Sequence, residues 1–148
     1  MAVVFPLLLV DDDPTIADIF RRAIGNAFPE ADLKVVDSFS EAAAYLEGLF
    51  GRGPRLVLLD IDLRSELSGI DFLTLLREHP QGRLLPVVIL SAGEDQTIKE
   101  EAYDRGASAF TVKPFSYQAW KSYAEQLRAY WYGTATTPKL WFEREKNE

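Results

Sequence analysis

The stretch Arg55-Leu56-Val57-Leu58-Leu59-Asp60 constrains the fold most: four aliphatic residues in a row, without polar alternation, end on a carboxylate. Such a run fits a short strand covered on both faces, as in a parallel sheet flanked by helices. Asp60 then leaves the sheet at its carboxyl end, where open α/β sheets carry their chemistry. Three further runs end in the same manner: Phe5-Pro6-Leu7-Leu8-Leu9-Val10 on Asp11-Asp12-Asp13, Val87-Val88-Ile89-Leu90 on Ser91, and Ala109-Phe110-Thr111-Val112 on Lys113. If these strands are parallel, carboxylates, a hydroxyl and an ammonium meet at one edge.

The segments between the runs read as helices. From Pro14 to Phe28, Ile16, Ile19, Phe20, Ala23, Ile24 and Ala27 form one apolar stripe, with Asp13 as N-cap. Leu33 to Val36 is another strand, and Ser38 with Glu41 starts a helix carrying Ala42, Tyr45, Leu46 and Leu49 until Gly51, Gly53 and Pro54 break it. Ser68 and Asp71 repeat the capping pattern before Phe72, Leu73 and Leu76. The helix from Asp95 to Arg105 has a thin inward stripe, Ile98 and Ala102 with Tyr103 beside them, and Gly106 suits its C′ position. So little anchorage marks it as one of the less stable elements. The last helix, Tyr117 to about Trp131, places Trp120, Ala124, Leu127 and Trp131 on one stripe, flanked by Tyr123 and Tyr130. Strand and helix alternate five times, which gives one doubly wound α/β domain with a five-stranded parallel sheet and helices on both faces.

Composition narrows the function. With no cysteine among 148 residues, disulfides, thiolate metal sites and cysteine nucleophiles are excluded. The apolar start, Ala2 to Val10, is too short to span a bilayer and has no basic flank, so the expectation is a soluble, cytoplasmic protein without a membrane association. A net charge of -7 opposes direct binding to nucleic acid.

Two unit charges about 4 Å apart repel by roughly 4 kcal/mol at an effective dielectric of about 20, so converging Asp11, Asp12 and Asp60 need a cation or a proton. Oxygen-only ligands select a hard ion, and Mg²⁺ fits better than Zn²⁺. A metal beside a strand-end carboxylate, a lysine and a hydroxyl makes a phosphoryl-transfer site, in which Asp60 attacks in line while the metal and Lys113 neutralise the equatorial oxygens.

Val10-Asp11-Asp12-Asp13-Pro14, Leu58-Leu59-Asp60-Ile61-Asp62, Ile89-Leu90-Ser91-Ala92 and Phe110-Thr111-Val112-Lys113-Pro114-Phe115 together resemble the receiver domain of two-component response regulators, from about Phe5 to Arg128. The resemblance implies the flavodoxin-like strand order 2-1-3-4-5. It makes Asp60 the acceptor of a phosphoryl group from a sensor histidine kinase, and the protein a signalling switch rather than an enzyme. Asp12 would ligate Mg²⁺ directly, Asp11 through water and Asp62 through its backbone carbonyl, with Asp60 completing the set. Ser91 and Lys113 would hold the phosphoryl oxygens, Ser91 and Phe110 would form the switch pair, and Lys113-Pro114 would be a cis peptide. Arg64-Ser65-Glu66-Leu67-Ser68-Gly69 departs from the family's usual Pro-Gly loop and is one residue longer, and Phe110 stands where many members have Tyr or His.

On this reading residues 1–131 are the receiver and 132–148 a C-terminal extension. All three tryptophans and four of the six tyrosines follow residue 116. They serve either an extended intrachain core or a homodimer face through the last helix and the C-terminal aromatics. The extension resembles that of stand-alone receivers working with phytochrome-like kinases. Two alternatives accompany this reading: an aspartate-nucleophile phosphatase, from Asp60-Ile61-Asp62, and an interaction or dimerisation module independent of phosphorylation. His79, the single histidine, reads as a surface loop residue.

Overall fold

The structure, a computed structural model, describes residues 4–63 and 67–143. The Arg64-Ser65-Glu66 part of the loop after Asp60 therefore lies outside the described residues.

Strand β1 (Phe5–Val10), helix α1 (Pro14–Ala27), β2 (Ala31–Val36), α2 (Phe39–Gly48), a two-residue β3 (Gly51–Arg52) and β4 (Leu56–Asp60) form the first half. The second half comprises α3 (Gly69–Glu78), a 3₁₀ turn (Gly82–Leu84), β5 (Val87–Ser91), α4 (Gln96–Asp104), β6 (Ala109–Val112), α5 (Tyr117–Leu127), a π-helical turn (Arg128–Tyr132) and β7 (Trp141–Phe142). The main sheet is parallel throughout, in the order β2-β1-β4-β5-β6. With the short β3 set aside, this is the expected 2-1-3-4-5.

Successive residues of β1 and β4 point to opposite faces, and both faces are buried. Leu7, Leu9, Leu56 and Leu58 pack with Phe20, Ile24, Trp120 and Leu127 of α1 and α5. Leu8, Val10, Val57 and Leu59 pack with Ala42, Leu46, Phe72, Leu73 and Ala102 of α2, α3 and α4. This double burial is why the key run shows no polar alternation. The caps form as the sequence suggested: Asp13 Oδ1 accepts from Thr15 N at 2.9 Å, Ser38 Oγ accepts from Glu41 N at 3.1 Å, and Ser68 and Asp71 make a reciprocal capping box.

Four sequence expectations are corrected. Tyr103 points outward, at 46% exposure, which leaves α4 anchored on Ala102 with Ile98 partly buried. The last α-helix ends at Leu127, and the π-turn that follows adds a residue to the helical repeat, so Tyr132 turns onto Phe5 and Phe28 at ring separations of 6.2 and 5.8 Å while Tyr130 stays exposed. His79 is half-buried rather than a free loop residue: it caps α3, its Nδ1 accepts from the backbone N–H groups of Gln81 and Gly82, and its ring packs 5.3 Å from Phe142. The Lys113-Pro114 peptide is trans, the isomer that X-Pro bonds favour by about 0.5–1 kcal/mol.

The residues after the π-turn supply intrachain core. Leu140 and Phe142 are buried in the α2–α3 face, and β7 pairs antiparallel with β3. Phe142 lies so close to Gly53 that a Cβ there would collide with its ring. Among the C-terminal aromatics, Trp141 remains 59% exposed, against the edge of Phe50.

Phe142→Ala is expected to cost about 3–5 kcal/mol in urea unfolding, as for other fully buried aromatics. Trp141→Ala, on the outward side of the same strand, is expected to cost less than about 1 kcal/mol. Equal losses would show that the tail does not hold this register.

Candidate functional site

The carboxyl ends of β1, β4, β5 and β6 converge as the sequence implied. Asp11 and Asp60 are both 1% exposed, an unusual burial for carboxylates, and Asp12 is half-buried beside them. One carboxylate oxygen from each of Asp11, Asp12 and Asp60 lies within 4.8 Å of the others. Lys113 Nζ reaches 3.2 Å from Asp11 Oδ2 and 3.2 Å from Asp60 Oδ2.

Local geometry fixes these groups in place. Asp13 N donates to Asp11 Oδ1 at 2.9 Å, and Asp62 N donates to Asp60 Oδ1 at 2.9 Å. Each acid is thus held by the amide two residues on. Lys113 is positioned by its own backbone, whose N–H donates to the Ser91 carbonyl at 2.7 Å. Gly69, the first residue of α3, sits where a Cβ would collide with the Asp60 carbonyl, so glycine lets that helix start close to the end of β4.

Electrostatically the cluster is frustrated. Burial pushes the Asp60 carboxyl up to about 6; the Asp62 N–H opposes this, Asp11 adds to it, and Lys113 pulls the value down. For Lys113, burial acts to lower the pKa, but the Asp11 and Asp60 carboxylates outweigh it and hold the ammonium above its ordinary value. Asp11 Oδ2 is fully buried and makes no hydrogen bond, only the ion pair with Lys113. A buried carboxylate oxygen without a hydrogen bond, in a set of three acids with one ammonium, fits a hard divalent cation. Asp11, Asp12 and Asp60 are the side chains that would hold it.

The other expected residues take up less direct positions. Asp62 meets the site through its N–H, while its side chain is exposed. Ser91 ends β5 next to β4, yet its hydroxyl donates to the Gly93 carbonyl at 2.8 Å and so is engaged in its own loop. Phe110 is half-buried against the α2–α3–α4 face, with Lys99 Nζ 5.7 Å from its ring centre.

Three supporting contacts had no clear sequence signal. Half-buried Arg77 donates to the carbonyls of Gly82, Leu85 and Gly106 at 2.6–2.9 Å, tying α3 to the turn after α4. Thr111 Oγ1 donates to the Ile89 carbonyl and shares a hydrogen bond with the Tyr123 hydroxyl, joining β6 to α5. Arg128 pairs bidentately with Glu30, fixing the end of α5 to the start of β2.

The model of the response regulator receiver domain matches residues 7–125, which span every element of the site. The chain belongs to the response regulator receiver domain family. Its architecture is the family's flavodoxin-like one. Among curated relatives, the probable methanogenesis regulatory protein FilR2 of Methanothrix harundinacea is 28% identical over 137 residues, covering 90% of this chain and 88% of FilR2. The chain spans only 21–42% of the length of the transcriptional regulators that it also matches. Among solved structures, response regulator RPA3017, in red light signaling of R. palustris, is 27% identical with a TM-score of 0.81, covering 93% of this chain and all of that one. The phosphorylated cyanobacterial phytochrome response regulator RcpA, 23% identical, has the same fold at a TM-score of 0.82 and covers 93% of this chain and 100% of its own. Among the described residues, no helix of the receiver is long and apolar enough to cross a membrane.

The raised Asp60 pKa carries a stability prediction for the metal-free receiver. The folded value of about 6 exceeds the ordinary 3.8, so the native state retains a proton that the unfolded chain releases. That contribution is complete below pH 3.8 and is lost as the pH rises through about 6. In urea unfolding with a chelator, Asp60→Asn is therefore expected to be more stable than the parent by about 1–3 kcal/mol at pH 7, with the gap closing towards pH 4. A parent at least as stable as Asp60→Asn at pH 7 would contradict this charge balance.

Proposed function

We propose that the protein is a phosphoacceptor switch: Asp60 takes a phosphoryl group from a phosphohistidine of a sensor histidine kinase, with Mg²⁺ as the cofactor. The observation that carries the reading is the position of Asp60, buried at a strand end between two acids and an ammonium 3.2 Å away. One Asp60 oxygen forms the new P–O bond as the donor's P–N bond breaks, and the electron pair of that bond returns to the imidazole nitrogen. Bound Mg²⁺ supplies neutralising charge for the phosphoryl oxygens. Lys113 already lies against Asp60 Oδ2 and would pair with the phosphoryl oxygens once the carboxylate has given up its charge to the new P–O bond. The backbone carbonyl of Asp62 is assigned as a further metal ligand.

Ser91 and Phe110 are assigned as the switch pair. Ser91 must leave the Gly93 carbonyl to reach a phosphoryl oxygen, and that movement opens space for Phe110 to turn inward. The thinly anchored α4 is the element this rearrangement shifts most readily. The Asp62 side chain is exposed, which favours a signalling acceptor over a phosphatase using it as general acid. Likeness to the bacteriophytochrome response regulator AtBRR, 27% identical with a TM-score of 0.67, supports a kinase of the phytochrome type as partner. In the proposed homodimer the Trp120, Ala124 and Leu127 stripe is already taken up by α1 and the sheet, which leaves the outward side of the last helix and Tyr130 for the contact.

Incubation with acetyl phosphate and Mg²⁺ is expected to add one hydroxylamine-labile phosphoryl group per chain by mass spectrometry. Asp60→Asn and a chelator should each abolish the addition, and Lys113→Ala should slow it at least about tenfold, the scale of one lost charge-assisted contact. Undiminished labelling of Asp60→Asn would overturn the assignment.

A further inference from the structure

The opposite edge of the sheet, where β1 and β4 begin, is closed by the chain returning from the π-turn. Together with Val4, Phe5 and Arg55, this segment encloses a half-open recess of about 420 Å³, within the range of small-molecule sites. It lies one strand length from Asp60, roughly 20 Å. Open α/β sheets bind ligands at the other edge, so this recess is a product of the tail.

Its lining contrasts with the acidic chain around it. Among the described residues Arg55 and Lys139 line it and no Asp or Glu does, in a protein of net charge -7. The half-buried Arg55 side chain and that of Lys139 make no hydrogen bond, ion pair or ring contact among the described residues. Lys139 is exposed, whereas cations elsewhere in the fold are paired: Arg77 is satisfied by three carbonyls, and Arg128 and Lys113 by carboxylates. The hydroxyls of exposed Thr136 and of Thr137 likewise have no hydrogen-bond partner among the described residues. Guanidinium, ammonium and two hydroxyls therefore present donors to one space with no acceptor among the described residues.

We propose that this recess binds a small organic phosphate monoester, its phosphate on Arg55, Lys139 and Thr137 and its organic part against Trp131 and Val4. A phosphate monoester carries about -1.5 to -2 charges at neutral pH and three acceptor oxygens, which matches two cations and the hydroxyls; a carboxylate would leave one cation unpaired. The planar fork of Arg55 suits phosphate bidentately. Trp131 and the 52%-exposed Val4 supply an apolar wall, which free phosphate would not use. The proposal is independent of the acceptor reading, because it uses the other end of the strands.

Calorimetric titration of the full chain with AMP, in a chelator that keeps divalent ions from the acidic site, tests it. Saturable one-to-one binding is expected, weakened about tenfold or more by Arg55→Gln and by Lys139→Gln, the scale of a lost charge-assisted hydrogen bond, and unchanged by Arg21→Gln on α1, a residue that does not line this recess. Neither substituted side chain makes a bond among the described residues, so both variants should keep the parent's circular dichroism. Inorganic phosphate should compete more weakly than AMP. Equal affinity for the two would overturn the ester assignment. No saturation by about 10 mM AMP, or binding indifferent to both substitutions, would overturn the site itself.

Discussion

Mutual repulsion among Asp11, Asp12 and Asp60, offset by a single ammonium, is the constraint on which the upper edge of this molecule depends. The fold forces these carboxylates together because parallel strands must end at the same edge, and both neighbouring faces are filled with aliphatic side chains. Water cannot screen the buried pair, and Lys113 sits between Asp11 and Asp60 in place of solvent. A site of this kind is built for incoming positive charge, and for an electrophile whose oxygens extend the same charge pattern outward.

From there the architecture separates into a rigid part and a movable part. Face-to-face burial fixes β1, β4 and β5, while Arg128–Glu30 and Thr111–Tyr123 tie α5 to β2 and β6. On the other side α4 depends on Ala102, a partly buried Ile98 and the ring contact from Lys99 to Phe110. Arg77 holds the turn after α4 but not its first residues. The part nearest Ser91 is thus thinly restrained, held by its Asp95 cap, and a change at Asp60 would move it at little cost.

Much of this was legible in the chain. Asp60, Lys113 and the acids after β1 were visible because each stands where an apolar run stops, and a parallel sheet turns that one-dimensional fact into proximity. The caps at Asp13, Ser38 and Ser68 were visible for the same local reason. Other features depend on contacts without a side-chain pattern. Arg77 is satisfied by backbone carbonyls from Gly82, Leu85 and Gly106, which any sequence provides. The π-turn at Arg128–Tyr132 changes the helical phase, so Tyr132 joins the expected Trp131 against the core. The β3–β7 pairing spans only two residues on each side and joins segments about ninety positions apart, too short for periodicity to reveal. The direction of the Ser91 hydroxyl, towards Gly93, is a rotamer choice set by the loop.

The claim at the centre is that three separate acids form one ion site. Electron paramagnetic resonance of Mn²⁺ titrated into the full chain addresses it most directly. One Mn²⁺ should bind per chain and be displaced by Mg²⁺, with affinity falling at least about tenfold in Asp12→Asn and staying unchanged in Asp13→Asn, whose side chain caps α1 through Thr15 N. Mn²⁺ binding that survives Asp12→Asn at full strength would show that the acids do not act together, and the account would not stand.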